Sequence, residues 1–257
     1  MSPFRRCRPV WQDSGMSDSD IANPGIARAT GVEAEKAAAA RTAASLVVDG
    51  MTVGLGTGST VAYLIPALAS RGLALTCVAT SPATEMQARA AGLDVRSFND
   101  PSSPALLDIA IDGADKVTPD GWLVKGAGAA HTREKIVAAA ADRFVVIVST
   151  EKLVTSLAPP VPLEILSFGA SATLRRLGAA RIRPQTPHSP DGGIIVDWMN
   201  PVDDPRSLCA FFDSTPGVVG HGLFPPEMVS DVVVSGRLLQ RSATSGASGN
   251  SWVRLGG

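Results

Sequence analysis

Thr52-Val53-Gly54-Leu55-Gly56-Thr57-Gly58-Ser59-Thr60-Val61 reads as a short apolar strand running into a glycine-rich turn and out into a helix. Such a turn presents backbone N–H groups and the positive end of a helix dipole, which together attract an anion. The stretch misses the dinucleotide fingerprint, because counting from Gly54 the third glycine position is Ser59. It also misses the P-loop, since no Gly-Lys-Ser/Thr follows. The second strand ends in Thr80-Ser81 rather than in an acid suited to a ribose. The phosphate of a small metabolite fits this loop better than a nucleotide does.

Outward from the turn, the pattern alternates. Glu33 to Val48 is alanine-rich and helical, and Thr60 to Ala69 is a helix that Pro66 should kink or shorten. Leu75 to Thr80 is a strand and Pro82 to Ala91 a helix, with Thr80 or Ser81 as N-cap and Gly92 as stop. Strands follow at Asp94–Phe98, Leu107–Asp112 and Trp122–Lys125, then a helix over Thr132–Ala141 and a strand over Phe144–Val148. This alternation predicts an α/β fold with a mostly parallel, Rossmann-like sheet. After Pro159-Pro160 the pattern changes. Strands at Leu163–Leu166, Ile194–Asp197 and Val218–Phe224 and helices at Ala170–Leu177 and Pro205–Phe212 describe a smaller α+β unit, and Val232–Val234 returns to the first sheet. The expected organisation is a disordered extension over 1–30, an α/β domain over 31–157 completed by about 229–240, a smaller α+β domain over 158–228, and a flexible tail over 241–257.

Composition excludes several classes. Lys and Arg number 23 against 24 Asp and Glu, with no block of one sign, so nucleic acid is not an expected partner. No apolar run is long enough to span a bilayer, and no apolar core follows Arg5 and Arg6, so neither a membrane nor a secretory route is expected. Cys7, Cys77 and Cys209 are widely spaced, which suits a reducing cytoplasm and gives no cysteine metal site. His188 and His221 are isolated, so no metal is assigned.

The chemistry concentrates in one window. Asp112-Gly113-Ala114-Asp115 ends an apolar strand, and Lys125-Gly126-Ala127-Gly128 and Glu134 follow closely. Charged groups at the end of a buried strand are expensive unless paired or put to work. A base, an acid and a cation suit proton transfer on a small polar substrate with a developing negative charge. Singly, each residue has a plainer use: the aspartates as turn caps, Lys125 as a solvated strand end, Glu134 as a partner for a helix dipole.

Together these segments resemble ribose-5-phosphate isomerase, type A. The resemblance rests on Gly54 to Thr60, Thr80-Ser81 with Thr84, Asp112 to Asp115, Lys125 to Ala130 and Arg133-Glu134-Lys135-Ile136-Val137, in family order and spacing. Pro162-Leu163-Glu164-Ile165, Pro216 to Val219 and Gly222-Leu223-Phe224 extend it, so that it covers roughly Lys36 to Arg237. It implies reversible isomerisation of ribose 5-phosphate and ribulose 5-phosphate through an enediolate, in the non-oxidative pentose phosphate branch. No metal or other cofactor is implied; a lid domain and a homodimer or homotetramer are. Glu134 matches the general base, Lys125 the cation beside the enediolate, and Asp112 and Asp115 the acids for hydroxyl protons and ring opening. Thr57, Gly58, Ser59, Thr60, Gly113, Ala114, Gly126, Ala127 and Gly128 match the substrate loops, and Lys152 a further substrate lysine.

Departures accompany the match. Ala127 stands for a usual Gly, Lys116 for an acid, His131 for an apolar residue, and Ser149 and Glu151 for Asp and Ser. The segment Arg183 to Gly193 is short, and Gly193 replaces a common Asn. His131 reads as packing. Thr80, Ser81 and Thr84 either cap a helix or touch phosphate, and Lys36 either reaches phosphate or faces solvent. The competing functions are a non-catalytic phosphosugar sensor and an isomerase or deaminase of another phosphosugar.

Overall fold

Side chains alternate between the two faces of a strand, so a near-continuous apolar run buries both faces between helices, and that is how the centre of this fold is built. The computed structural model describes residues 24–241 and 252–254. Along the chain come α1 (Pro24–Ser45), β1 (Thr52–Leu55), α2 (Val61–Ala69), β2 (Thr76–Ala79), α3 (Pro82–Ala90), β3 (Asp94–Arg96) and β4 (Leu107–Asp112). Then follow β5 (Lys116–Val117), β6 (Leu123–Val124), α4 (His131–Ala139), β7 (Ala141–Val148), β8 (Val161–Ile165), α5 (Ala170–Leu177), β9 (Ala180–Ile182) and β10 (Ile194–Trp198). The chain closes with α6 (Pro205–Asp213), β11 (Val218–His221), β12 (Leu223–Phe224), β13 (Asp231–Val234), β14 (Arg237–Arg241) and β15 (Trp252–Arg254).

The main sheet has eight strands in the order β15-β14-β13-β7-β4-β1-β2-β3. From β13 to β3 every neighbouring pair is parallel, while β14 pairs antiparallel with both β13 and β15. Strand β1 lies between β2 and β4, so the chain builds outward in one direction through β2 and β3 and in the other through β4 and β7. Open α/β sheets bind ligands at such a reversal, outside the carboxyl ends of the strands. Here those ends deliver Gly56 and Asp112. Alternation along β4 and β7 sends Ile109, Ile111, Val145 and Ile147 to one face, against Ala40 and Ala43 of α1 and Leu64 and Leu68 of α2. Ala110, Phe144, Val146 and Val148 go to the other face, with Val137 of α4 and Phe224 of β12.

Two further sheets complete the molecule. One is antiparallel, in the order β11-β8-β10-β9, with its own core around Leu163, Val196 and Phe212. The other has three short strands, β12-β6-β5, so residues 223–224 return beneath the strand that leads to Lys125. The single strand expected over Val218–Phe224 is therefore two, divided at Gly222, where a Cβ would lie 2.0 Å from the Lys125 carbonyl oxygen.

Three other expectations are corrected. Helix α1 begins at Pro24, so residues 24–30 belong to it and not to a disordered extension. Proline is tolerated in a first turn, and Gly31 does not break the helix. The tail contributes β15, paired antiparallel with β14. Pro66 neither ends nor shortens α2, whose Leu64, Ile65 and Leu68 are buried across it. The readings of residues 1–23, 242–251 and 255–257 lie outside the described residues. No described helix is long and apolar enough to cross a membrane.

Phe144 is fully buried and its ring centroid lies 6.3 Å from that of Phe224, so it joins the main sheet to the floor of β12. Phe144→Ala should cost about 3–5 kcal/mol, read from urea denaturation midpoints at unchanged m-value.

Candidate active site

The glycine-rich turn is held from below. A Cβ at Gly56 would lie 1.9 Å from Asp112 Oδ1, so only glycine lets the turn pass over that carboxylate. The Thr57 N–H donates to Asp112 Oδ1 at 3.1 Å, and the Thr84 hydroxyl donates to the Gly56 carbonyl at 2.9 Å. The Thr57 and Thr80 hydroxyls share a hydrogen bond of 2.8 Å. Ser81 caps α3 by accepting from the Thr84 N–H. These three residues therefore brace the turn and do not line the cavity above it. Thr60 precedes α2 without a side-chain cap, which leaves its hydroxyl for a ligand, while the Ala62 and Tyr63 N–H groups donate to the carbonyls of Gly58 and Thr60, each at 3.1 Å.

Beside the turn lies a buried charge cluster. Lys125 Nζ sits 2.9 Å from Asp112 Oδ2 and 3.2 Å from Glu134 Oε2, and it also donates to the Gly113 carbonyl. All three side chains are 3–4 % exposed. Phe224 lies under the ammonium, 5.5 Å from ring centroid to Nζ. Burial opposes the charge on Lys125, but Asp112 and Glu134 outweigh it and hold its pKa above the ordinary lysine value. Burial pushes Glu134 up to about 8; Lys125 resists this and Asp112 adds to it. Burial likewise raises Asp112, against the pull of Lys125. Two carboxylates cannot both ionise cheaply around one ammonium in a dry site, so the cluster readily holds one extra proton near neutrality.

The third wall is the loop after Lys125. Gly126 has φ +108°, and a Cβ there would lie 2.7 Å from His131 Nδ1. Ala129 also takes a positive φ, of 59°. The Ala127 N–H donates to Asp115 Oδ2 at 2.9 Å. From the smaller sheet, Arg183 Nη1 donates to the carbonyls of Gly126 at 2.9 Å and Ala127 at 3.2 Å. His131 is fully buried, and burial pushes its pKa down to about 3, so it is a neutral packing group beneath the loop.

A cavity of about 270 Å³ is lined by Thr57 to Thr60, Gly113 to Asp115, Lys125 to Gly128, Glu134 and Lys152. That is close to the lower end of ligand cavities, about 300–1,000 Å³, and suits a small polar metabolite. Every site residue expected from sequence lines it except Asp112, which lies behind Lys125 with its oxygens occupied. Lys36 pairs with Glu33 at 2.7 Å and is not in the lining. Lys116 turns its ammonium to the carbonyls of Ala158 and Pro159 and lines a neighbouring cavity. Sequence reasoning gave no role to Arg183 or Asp197, and it read Thr80, Ser81 and Thr84 as helix caps or phosphate contacts; the partners of Thr80 and Thr84 in the turn, Thr57 and Gly56, are distant in the chain.

Comparisons with known proteins agree with one another. The family model described as Ribose 5-phosphate isomerase A (phosphoriboisomerase A) matches residues 76–237. The chain is 44% identical over 209 residues to Ribose-5-phosphate isomerase A of Methanoregula boonei, covering 76% of this chain and 87% of that one. It is 43% identical over 222 residues to the Gluconobacter oxydans protein of the same name, covering 80% and 94%. Among solved structures, ribose 5-phosphate isomerase A from Methanocaldococcus jannaschii superposes with TM-score 0.74 at 32% identity, covering 87% of this chain and 99% of that one. A D-ribose-5-phosphate isomerase solved in complex with phospho-erythronic acid superposes with TM-score 0.73 at 31% identity, covering the same shares.

Lys125→Met should leave two buried carboxylates facing each other and cost about 3–5 kcal/mol in urea denaturation near neutral pH. The deficit should shrink as pH falls and the two carboxyls take up protons; an equal deficit at about pH 5 and about pH 8 would contradict the pairing.

Proposed function

The chain belongs to the ribose 5-phosphate isomerase A family; it is an aldose–ketose isomerase of ribose 5-phosphate and ribulose 5-phosphate, and we propose the following roles for its residues. The observation that carries them is the buried Asp112–Lys125–Glu134 cluster at the wall of a small polar cavity.

The reaction moves one proton from C2 to C1 and another from O2 to O1. Glu134, when ionised, takes the C2 proton; negative charge then passes to the substrate oxygens as an enediolate, and Glu134 returns the proton to C1. Lys125 and the loop amides stabilise the enediolate, where fixed charge counts most because the site is dry. Asp115 lines the cavity and relays the oxygen proton. Asp112 acts through others: it holds the Thr57 amide and Lys125 and keeps the Glu134 pKa high, which makes Glu134 a stronger base once it is ionised. The phosphate lies at Thr57 to Thr60 before α2, and Lys152 closes the far side. Phospho-erythronic acid, the ligand of one solved relative, carries a phosphate and a carboxylate on a short polyol. A phosphorylated enediolate presents the same pair of anionic groups.

The same proposal takes the α/β part as the catalytic domain and the smaller sheet as its lid. It places the reaction in the pentose phosphate pathway and the protein in the cytoplasm, in keeping with the free thiols of Cys77 and Cys209. It makes the active form a homodimer or homotetramer. The exposed apolar side chains of Leu166, Phe168 and Val219, on or beside β8 and β11, offer a face for self-association. No structural observation favours the sensor or the alternative substrates.

Purified protein should convert ribose 5-phosphate to ribulose 5-phosphate. Glu134→Gln should lower kcat by roughly 10²–10⁴-fold while substrate still raises Tm. Exchange of the C2 proton with solvent at the normal rate in that variant would remove Glu134 as base.

The ionised carboxylate is the active form, so kcat/KM should climb with pH through about 8, the Glu134 value in the free protein. Asp112→Asn removes a negative neighbour that raises this pKa, so the rising limb should move to lower pH. An unmoved limb would separate Asp112 from the titration.

A further inference from the structure

Arg183 follows β9 and continues its pairing through a hydrogen bond from its N–H to the Ile195 carbonyl at 3.0 Å. Its guanidinium has two sides. Nε and Nη2 grip Asp197 of β10 at 2.9 and 2.6 Å. Nη1 holds the carbonyl oxygens of Gly126 and Ala127 at 2.9 and 3.2 Å. The Asp197 fork fixes the plane of the guanidinium, so Nη1 meets the loop in a set direction.

The Gly126 carbonyl and the Ala127 N–H belong to one peptide group, and in a trans peptide they point in opposite directions. Arg183 holds the oxygen of that group, while its N–H donates to Asp115 Oδ2 at 2.9 Å. The group is thus a rigid strut between Arg183 and a carboxylate of the active cavity. The next peptide is held likewise through the Ala127 carbonyl, which turns the N–H of Gly128, a residue of the cavity lining, away from Arg183. Arg183 itself does not line that cavity; with Asp197 it lines a neighbouring space of about 340 Å³. Its link to the site runs through the strut.

We propose that Arg183 is a positioning residue for the isomerisation: through the Gly126–Ala127 peptide it aims the Asp115 carboxylate, and through the Ala127–Gly128 peptide it aims the Gly128 amide. The claim rests on the isomerase reading for its catalytic half, while the strut itself is a property of the folded chain. A misplacement of about 1 Å at a reacting group is enough to lower a rate on the order of 100-fold.

The test uses Arg183→Lys, Arg183→Ala and Asp197→Asn in the full chain. Lysine keeps the charge but cannot span the carboxylate and both carbonyls. Arg183→Lys should lower kcat for ribose 5-phosphate by roughly 10–100-fold with KM changed less than about threefold. Asp197→Asn should act in the same direction, and the double variant should be no worse than the stronger single one. The neighbouring cavity gives access for chemical rescue: guanidinium ion, at concentrations that leave Tm unmoved, should restore part of the kcat of Arg183→Ala. Amide exchange at Ala127 and Gly128, measured without substrate, should quicken in all three variants. A fall in Tm with kcat per folded site unchanged, or no change in exchange at those two amides, would overturn the proposal. Absence of turnover in the unaltered protein would count against the isomerase reading and end the catalytic half; the exchange result would then decide the strut alone.

Discussion

One buried ammonium governs this molecule. Lys125 is almost wholly removed from water, and an isolated charge in that position would cost several kcal/mol. It is tolerable because two carboxylates, a backbone carbonyl and an aromatic face surround it. The three side-chain partners come from different elements: Asp112 ends β4, with Gly113 directly after it, Glu134 is in the first turn of α4, and Phe224 is on β12. Satisfying one charge therefore fixes the relative placement of the main sheet, the helix after the substrate loop and the small floor sheet. The same burial that demands partners for the ammonium, with the second carboxylate beside it, also favours a proton on the cluster.

The sheet topology explains why the cluster faces a ligand cavity and not the core. Chain reversal between β1 and β4 opens the carboxyl ends of both strands, and the glycine-rich turn covers one side of the gap. Asp112 serves both halves, accepting from the Thr57 amide with one oxygen and facing Lys125 with the other. A shift in the phosphate-type turn would be felt at the ammonium, and the reverse. The smaller sheet enters the site indirectly, through a guanidinium bonded to loop carbonyls, and among the described residues it contributes none to the cavity lining.

Much of this was legible before any coordinates. The alternation of strands and helices from Thr52 to Val148 is periodic and local, so its elements fall close to their expected places. Asp112, Lys125 and Glu134 are close in sequence and flanked by glycines, and the order of motifs pointed to their family. What escaped depended on distance along the chain. The division of the strand at Gly222 is imposed by the Lys125 carbonyl almost a hundred residues earlier. Strands β9 and β15 are sheet edges and β14 lies just inside β15, and no local apolar period announces their pairing. Asp112 carries the same signal as Asp115 in sequence, yet only burial shows that one is enclosed and the other faces the cavity. Thr80 and Thr84 could be read as caps or as phosphate ligands until the position of the Gly56 carbonyl decided between them.

The late strand β12 carries a consequence for biosynthesis. The Lys125 N–H donates to the Gly222 carbonyl, and the Phe224 ring forms the underside of the ammonium pocket. A nascent chain that has emerged through α4 already contains Asp112, Lys125 and Glu134, but the cluster still lacks its floor and lies open to water. Closing it requires a contact spanning roughly a hundred residues, the kind of long-range pairing that forms slowly. The buried cluster therefore closes only after Phe224 has been made, and a ribosome stalled before Gly222 would hold a recognisable sheet around a charge cluster still open to water.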